Sequence, residues 1–229
     1  MKPLVGALGS VVIGAVALGA TVLVLHSTKV EPPLLVATNT AAAATIAGAT
    51  STSSLDLSAY PDSTAITWRK SNDGVGPHED WVSYGPTTNL QVPAHSVVTV
   101  TIKQYDSGEP IPNPFLAEVR GTVGGTMTVD GETVTKIDAD HVGHTFTIHN
   151  FPSDKLDPLF VNVPLPAMPD EVEACSQSDC PNHVVTFQFV TLGPGDYAWN
   201  CEFPCGGNYA NFGEAMSSYG YMSGTLHVV

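Results

Sequence analysis

Basic residues are scarce in this chain. Lys and Arg total 8 against 22 Asp and Glu, a formal net charge of −14, although only 13% of residues are charged. A surface of that sign repels phosphate backbones, which excludes nucleic acid as a partner. Amphipathic helical periodicity is also missing: past residue 25 no stretch of useful length repeats its apolar residues at spacings of three and four. No G-x-S-x-G, H-E-x-x-H or phosphate-cradling loop occurs, so the sequence offers no independent catalytic site. Cysteine is sparse, with 4 in 229 residues. That is enough for two crosslinks or one soft-metal site, and a chain of this length buries a core without needing either.

What is present begins with one long uncharged run, LVGALGSVVIGAVALGATVLVL, over residues 4–25. A helix of that length rises about 33 Å, enough to span a bilayer's hydrocarbon core. Signal peptides have shorter apolar regions, and no small-x-small cleavage pattern follows residue 25. The expectation is an uncleaved single-pass anchor in the cell membrane, with the rest of the chain on the extracytoplasmic side. Residues 1–30 are then the membrane anchor. Residues 31–59, rich in Ala, Thr and Ser, read as a linker. Residues 60–229 form the globular domain.

The domain's pattern is β. HSVVTVTIKQYD alternates, with Val98, Val100 and Ile102 on one face and Thr99, Thr101 and Lys103 on the other. TMTVDGETVTKI places Asp130-Gly131 between two Thr/Val runs, a hairpin signal. HTFTIHNF, VVTFQFVTL, DYAWNC and GTLHVV alternate too, and the 21 glycines and 18 prolines supply closely spaced turns. Seven or eight short strands of this kind predict a β-sandwich or barrel. EPIPNPFLAEVRG and MPDEVEACSQSDCPN read as excursions from the sheet.

Strand parity sorts the residues that carry chemistry. His144 shares a face with Phe146 and Ile148, so it points inward; His149 lies on the opposite face. Cys201 shares a face with Tyr197 and Trp199 at a strand end. Met222 shares parity with Leu226 and Val228, and His227 does not. One imidazole, one thiolate and one thioether at strand edges form a donor set suited to copper, which favours soft sulfur.

VGHTFTIHNF, GPGDYAWNCEFPCG and GYMSGTLHVV, in that order, resemble the cupredoxins. The C-x3-C-G spacing of Cys201 and Cys205 is similar to the copper-binding domain of cytochrome c oxidase subunit II. The resemblance implies an all-β, cupredoxin-like Greek-key β-sandwich; the one N-terminal transmembrane helix read above fits the comparison, although that subunit typically has two. It implies copper as cofactor and His144, Cys201, Cys205 and Met222 as metal ligands. It also implies one-electron transfer in or beside a respiratory or oxidase complex, whose other subunits would be partners. The sequence departs from the pattern at the second histidine: three residues before Met222 stands Tyr219, and no histidine lies between Cys205 and Met222.

A second reading stays open. Four cysteines in an exported domain suggest two disulfides, Cys175 with Cys180 and Cys201 with Cys205. The protein would then be a metal-free cupredoxin-fold structural or docking subunit of a membrane complex.

Overall fold

The computed structural model describes residues 31–40, 46–66, 68, 81–108, 111–151, 155–169, 180–205 and 214–229. The expected anchor, the segment holding Cys175, and residues 206–213 lie outside the described residues. Among the described residues no helix is long and apolar enough to cross a membrane.

Among the described residues two mixed β-sheets make up the domain, and helix is almost absent. The strands are β1 (Leu34–Val36), β2 (Thr38–Asn39), β3 (Ser51–Tyr60), β4 (Ser83–Gly85), β5 (Asn89–Val92), β6 (Ser96–Gln104), β7 (Met127–Val129), β8 (Glu132–Val134), β9 (Val142–His149), β10 (Val161–Pro166), β11 (His183–Val190), β12 (Gly195–Asn200) and β13 (Ser223–Val228). One four-residue helix, α1 (Glu214–Ser217), precedes β13. The first sheet runs β1-β5-β13-β12-β9-β10. The second runs β2-β3-β6-β11-β7-β8, with β4 also paired to β3. Side chains from both sheets meet in one apolar cluster that includes Leu55, Val100, Phe146, Phe187, Trp199 and Leu226. Period-2 alternation produces this arrangement in strands such as β3, β11, β12 and β13, where every second side chain is buried.

The hairpin expected at Asp130-Gly131 joins β7 to β8. Both residues have positive φ, 51° and 90°, the backbone a two-residue type I′ turn requires and one that the Asp-Gly pair adopts readily. Asp130 also pins the turn to β11, because its carboxylate accepts from Val184 N at 2.7 Å and meets His183 Nδ1 at 2.7 Å.

The expected linker at residues 31–59 is corrected. It carries β1, β2 and nearly all of β3, and β3 lies parallel to β6 in unbroken register from Ser51↔Ser96 to Ala59↔Gln104. The composition of STSSLDLSAY resembles a tether, but Leu55, Leu57 and Ala59 alternate with Ser, Asp and Ser. All three are buried. A chain beginning at Tyr60 would lose this strand. Two buried leucines are worth about 3–6 kcal/mol against a total stability of about 5–15 kcal/mol. Such a chain is expected to show no cooperative urea transition, whereas one beginning at Pro32 unfolds cooperatively. Equal transition midpoints for the two would refute the assignment.

Of the two excursions, the first covers the outer face of β9. Asn162 Nδ2 donates to the carbonyls of Leu116 and Glu118 at 3.0 and 2.8 Å. Asn162 Oδ1 accepts from Thr147 at 3.0 Å. Thr145 and Thr147, on the polar side of the β9 alternation, are therefore buried. β10 was not legible as a strand because VNVPLP contains two prolines. It survives as the end strand of its sheet, where missing amide donors are tolerated.

Candidate metal centre

The site forms at one end of the first sheet, where β12 runs out and β9 and β13 begin. Cys201 follows the last residue of β12. Its amide donates to the carbonyl of Met222 at 2.9 Å, which closes the β12–β13 pair. Its sulfur turns back toward β9 and accepts from Thr145 N at 3.4 Å. The chain then turns through Glu202, Phe203 and Pro204 and returns Cys205 beside Cys201. The Glu202 amide donates to Thr145 Oγ1 at 2.9 Å, fixing the turn on β9. The start of α1 holds the other side, with the amides of Ala215 and Met216 both reaching the Cys205 carbonyl, at 3.0 and 3.3 Å.

His144, Cys201 and Cys205 come together here, with one ligand atom of each inside a 4.8 Å span. His144 Nδ1 lies 3.2 Å from Cys205 Sγ and 3.7 Å from Cys201 Sγ. All three residues are 2% exposed or less. The sulfurs are 2.9 Å apart and both thiols are free. A disulfide bond is about 2.05 Å long, so the expected Cys201–Cys205 crosslink is corrected. The Phe203 carbonyl sits at the edge of the pair, 3.0 Å from Cys205 Sγ and 3.6 Å from Cys201 Sγ. Cys180 is disulfide-bonded.

Met222 is fully buried, and its backbone is tied to Cys201 on one side and to Ala215 on the other, where its amide donates at 3.1 Å. Tyr219, which stands where the resemblance would place a second histidine, is 43% exposed, unlike the enclosed cluster. His227 is engaged elsewhere, by Asp196 at 2.6 Å and Asn89 at 2.8 Å. His149 packs on the outer side, within 3.2 Å of Asn200 Oδ1.

Sequence reasoning missed Asp106. It lies 7% exposed in the turn after β6, and its Oδ2 is 2.5 Å from His144 Nε2. Nothing local in the sequence links it to a histidine on β9; the cue is the Asp-Ser-Gly that follows the strand, a turn signal.

Below the cluster the core is aromatic. Trp199 shares the inward face with Cys201, and its ring meets those of Tyr84 at 5.0 Å and Phe146 at 4.8 Å. Trp199 Nε1 donates to the Thr88 carbonyl at 2.9 Å, and Tyr84 OH donates to the Thr145 carbonyl at 2.9 Å. Burial pushes the Tyr84 phenol well above its ordinary value, and the negative charge at Cys201 and Cys205 adds to that.

Charge is distributed unequally in the cluster. Burial alone would raise the Cys201 thiol, but hydrogen bonds from Cys205 and His144 and the imidazolium charge outweigh it, bringing its pKa from 9.0 to about 5. Burial opposes charge on His144 as well, yet the hydrogen bonds and charges of Asp106 and Cys201 raise it from 6.5 to about 10. Burial and the neighbouring thiolate hold Cys205 well above its usual range. Asp106 resists burial through its bond to His144 and is lowered from 3.8. At neutral pH the metal-free cluster is thus thiolate, imidazolium, carboxylate and one thiol.

The signs give a pH profile. The depressed Cys201 contributes stability that is complete above its unfolded value and lost as pH falls from about 9 to about 5. The raised His144 contributes stability that is complete below its unfolded value and lost as pH rises from 6.5 to about 10. Stability of the metal-free, reduced protein is expected to rise from about pH 5 to 6.5, hold roughly level to about 9, and fall beyond it. Urea midpoints measured with chelator and reductant present test this. A midpoint that drops between pH 5 and 6.5 would show that Cys201 is not a thiolate.

The chain matches no protein-family model, no curated protein and no solved structure.

Proposed function

We propose that this protein is a copper-binding, cupredoxin-like electron carrier, tethered by residues 1–30 to the cell membrane with its β-domain on the extracytoplasmic side. The observation that carries the reading is the buried convergence of one imidazole nitrogen and two thiol sulfurs within 4.8 Å. Two thiol sulfurs and one imidazole are a soft donor set that suits copper, and zinc takes the same donors; the resemblance to cupredoxins is what points to copper. His144, Cys201 and Cys205 would hold the ion, with Met222 as a further, weaker donor brought beside Cys201 by their shared backbone bond. Copper bound there supplies one-electron chemistry.

The protein's own residues do the remainder. The thiolate character of Cys201 prepares a ligand before metal arrives. Trp199, Tyr84 and Phe146 exclude water beneath the cluster and keep the dielectric low. The two sheets hold the ligand-bearing strand ends at fixed spacing, which limits rearrangement when charge changes. Partners would be other subunits of a membrane respiratory or oxidase complex. The metal-free alternative rested on the missing second histidine and on a Cys201–Cys205 crosslink; the free thiols remove the crosslink and leave the missing histidine as its support.

Titration of the reduced, purified protein with copper(II) tests the reading. An intense visible sulfur-to-copper charge-transfer band saturating at a fixed copper-to-protein ratio is expected. A protein that stays colourless and shows no copper after dialysis is not an electron carrier through this site. Amino-terminal sequencing of the mature protein tests the tether separately: a start beyond residue 26 removes it.

A further inference from the structure

We propose that Asp106 is the positioning residue of this centre: it holds the His144 ring with Nδ1 turned to the two sulfurs, and acts on a bound metal only through that ring. The inference rests on the metal-site reading above and deepens it.

An imidazole has two nitrogens, and fixing a partner on one decides which lone pair is offered by the other. In His144 the division is complete. Nε2 meets Asp106 Oδ2 at 2.5 Å, while Nδ1 meets the sulfurs at 3.2 and 3.7 Å. A half-turn of the ring about its Cβ–Cγ bond would put carbon Cδ2 where Nδ1 now stands, and the cluster would lose its only nitrogen donor. The carboxylate prevents that half-turn, because the flipped ring would present carbon to it as well.

Asp106 is itself held rigidly, as a positioning group has to be. Its Oδ2 also accepts from the Gly108 amide at 2.8 Å. Its carbonyl accepts from Gln104 Nε2 at 2.9 Å and from Met168 N at 3.0 Å. The turn is then laid directly on β9. Gly108 has φ +62°, and a Cβ there would meet Gly143 Cα and O at 2.7 Å, so the turn lies this close to β9 only with glycine at 108. Gly143 is the residue before His144. The same glycine contact that seats the turn therefore sets the carboxylate against the ring.

A double-mutant cycle read by copper(I) competition against a chelator tests the proposal in the full chain. Asp106→Ala is expected to weaken copper(I) binding about 10–100-fold, the usual range for the partner of a metal-ligating histidine. In a His144→Ala background the same change is expected to have an effect of at most about twofold, since its route to the metal is gone. Asp106→Asn keeps an acceptor for Nε2–H and is expected to recover most of the affinity that Asp106→Ala loses. Equal losses in both backgrounds would show a general structural role and overturn the proposal. So would an unchanged affinity in Asp106→Ala, or no recovery in Asp106→Asn.

Nitrogen-15 NMR of the metal-free protein supplies a readout that does not need copper. A slowly exchanging His144 Nε2–H proton is expected in the wild type and lost in Asp106→Ala while the dispersed amide spectrum persists. If the wild type binds no copper but this signal behaves as stated, the copper reading fails and the ring-holding role of Asp106 stands. Absence of the signal in the wild type overturns that role.

Discussion

Cys201→Ser is expected to abolish the visible charge-transfer band and to weaken copper(I) binding by more than about 100-fold, beyond the range for losing a supporting group alone. The serine hydroxyl is nearly isosteric but is a hard, neutral donor, and it cannot supply the thiolate that Cys201 presents. Its effect should exceed that of His144→Ala, which removes the one nitrogen but leaves both sulfurs at 2.9 Å. Cys205→Ser should be strongly impaired as well, because the Cys205 sulfur is the one nearest to His144 Nδ1, at 3.2 Å. Far-UV circular dichroism confirms that each variant is folded, and copper titration with visible absorption gives the result. A band of wild-type intensity in Cys201→Ser would mean that the Cys201 sulfur is not the source of the charge transfer.

The second large effect is one of stability. Trp199→Ala is expected to destabilise the domain by about 3–5 kcal/mol, the range for removing a large aromatic from a packed core. The ring is fully buried, packs among Tyr84 and Phe146, and gives its indole proton to the Thr88 carbonyl. Little can collapse into the space, because the surroundings already fit closely. A Cβ added to Gly224, the residue opposite Trp199 on β13, would lie 1.9 Å from that same Thr88 oxygen. Trp199→Phe keeps most of the volume but leaves the Thr88 carbonyl without its buried donor, so about 1–3 kcal/mol is expected. Urea unfolding of the metal-free proteins gives both values. Because Trp199 shares its strand face with Cys201, the alanine variant should also bind copper less tightly. A loss under about 1 kcal/mol for Trp199→Ala, against the range above, would show that the aromatic cluster does not carry the core.

Parts of the site were legible in the sequence because strand stereochemistry is local. Successive side chains alternate, so His144 could be placed on the face of Phe146 and Cys201 on the face of Trp199 without knowing any partner strand. The Asp130-Gly131 hairpin was legible for the same kind of reason, since its two positive φ angles are a property of the turn residues themselves. β3 was not, because its Ser-rich composition reads as tether, and only its long register with β6 shows that Leu55, Leu57 and Ala59 face a core. The spacing of Cys201 and Cys205 fitted a crosslink or a pair of ligands equally well. The backbone path through Phe203 and Pro204 leaves the sulfurs close but unbonded.

The amino-acid sequence by itself determined that this is a β protein, that its formal net charge is −14, and that one histidine, one cysteine and one methionine lie near strand ends in its C-terminal half. Those properties follow from composition, period-2 alternation and turn chemistry, each set within a few residues. Only the tertiary structure decided that the expected linker completes a sheet, that the two cysteines are free, and that Asp106 closes on His144. Each of these depends on segments distant in sequence meeting at one place: Asp106 and His144 are 38 residues apart, and Cys201 is 57 beyond His144. Local patterns carry no record of such distances, because the contact forms only when two sheets have packed and brought the ends of β6, β9 and β12 together.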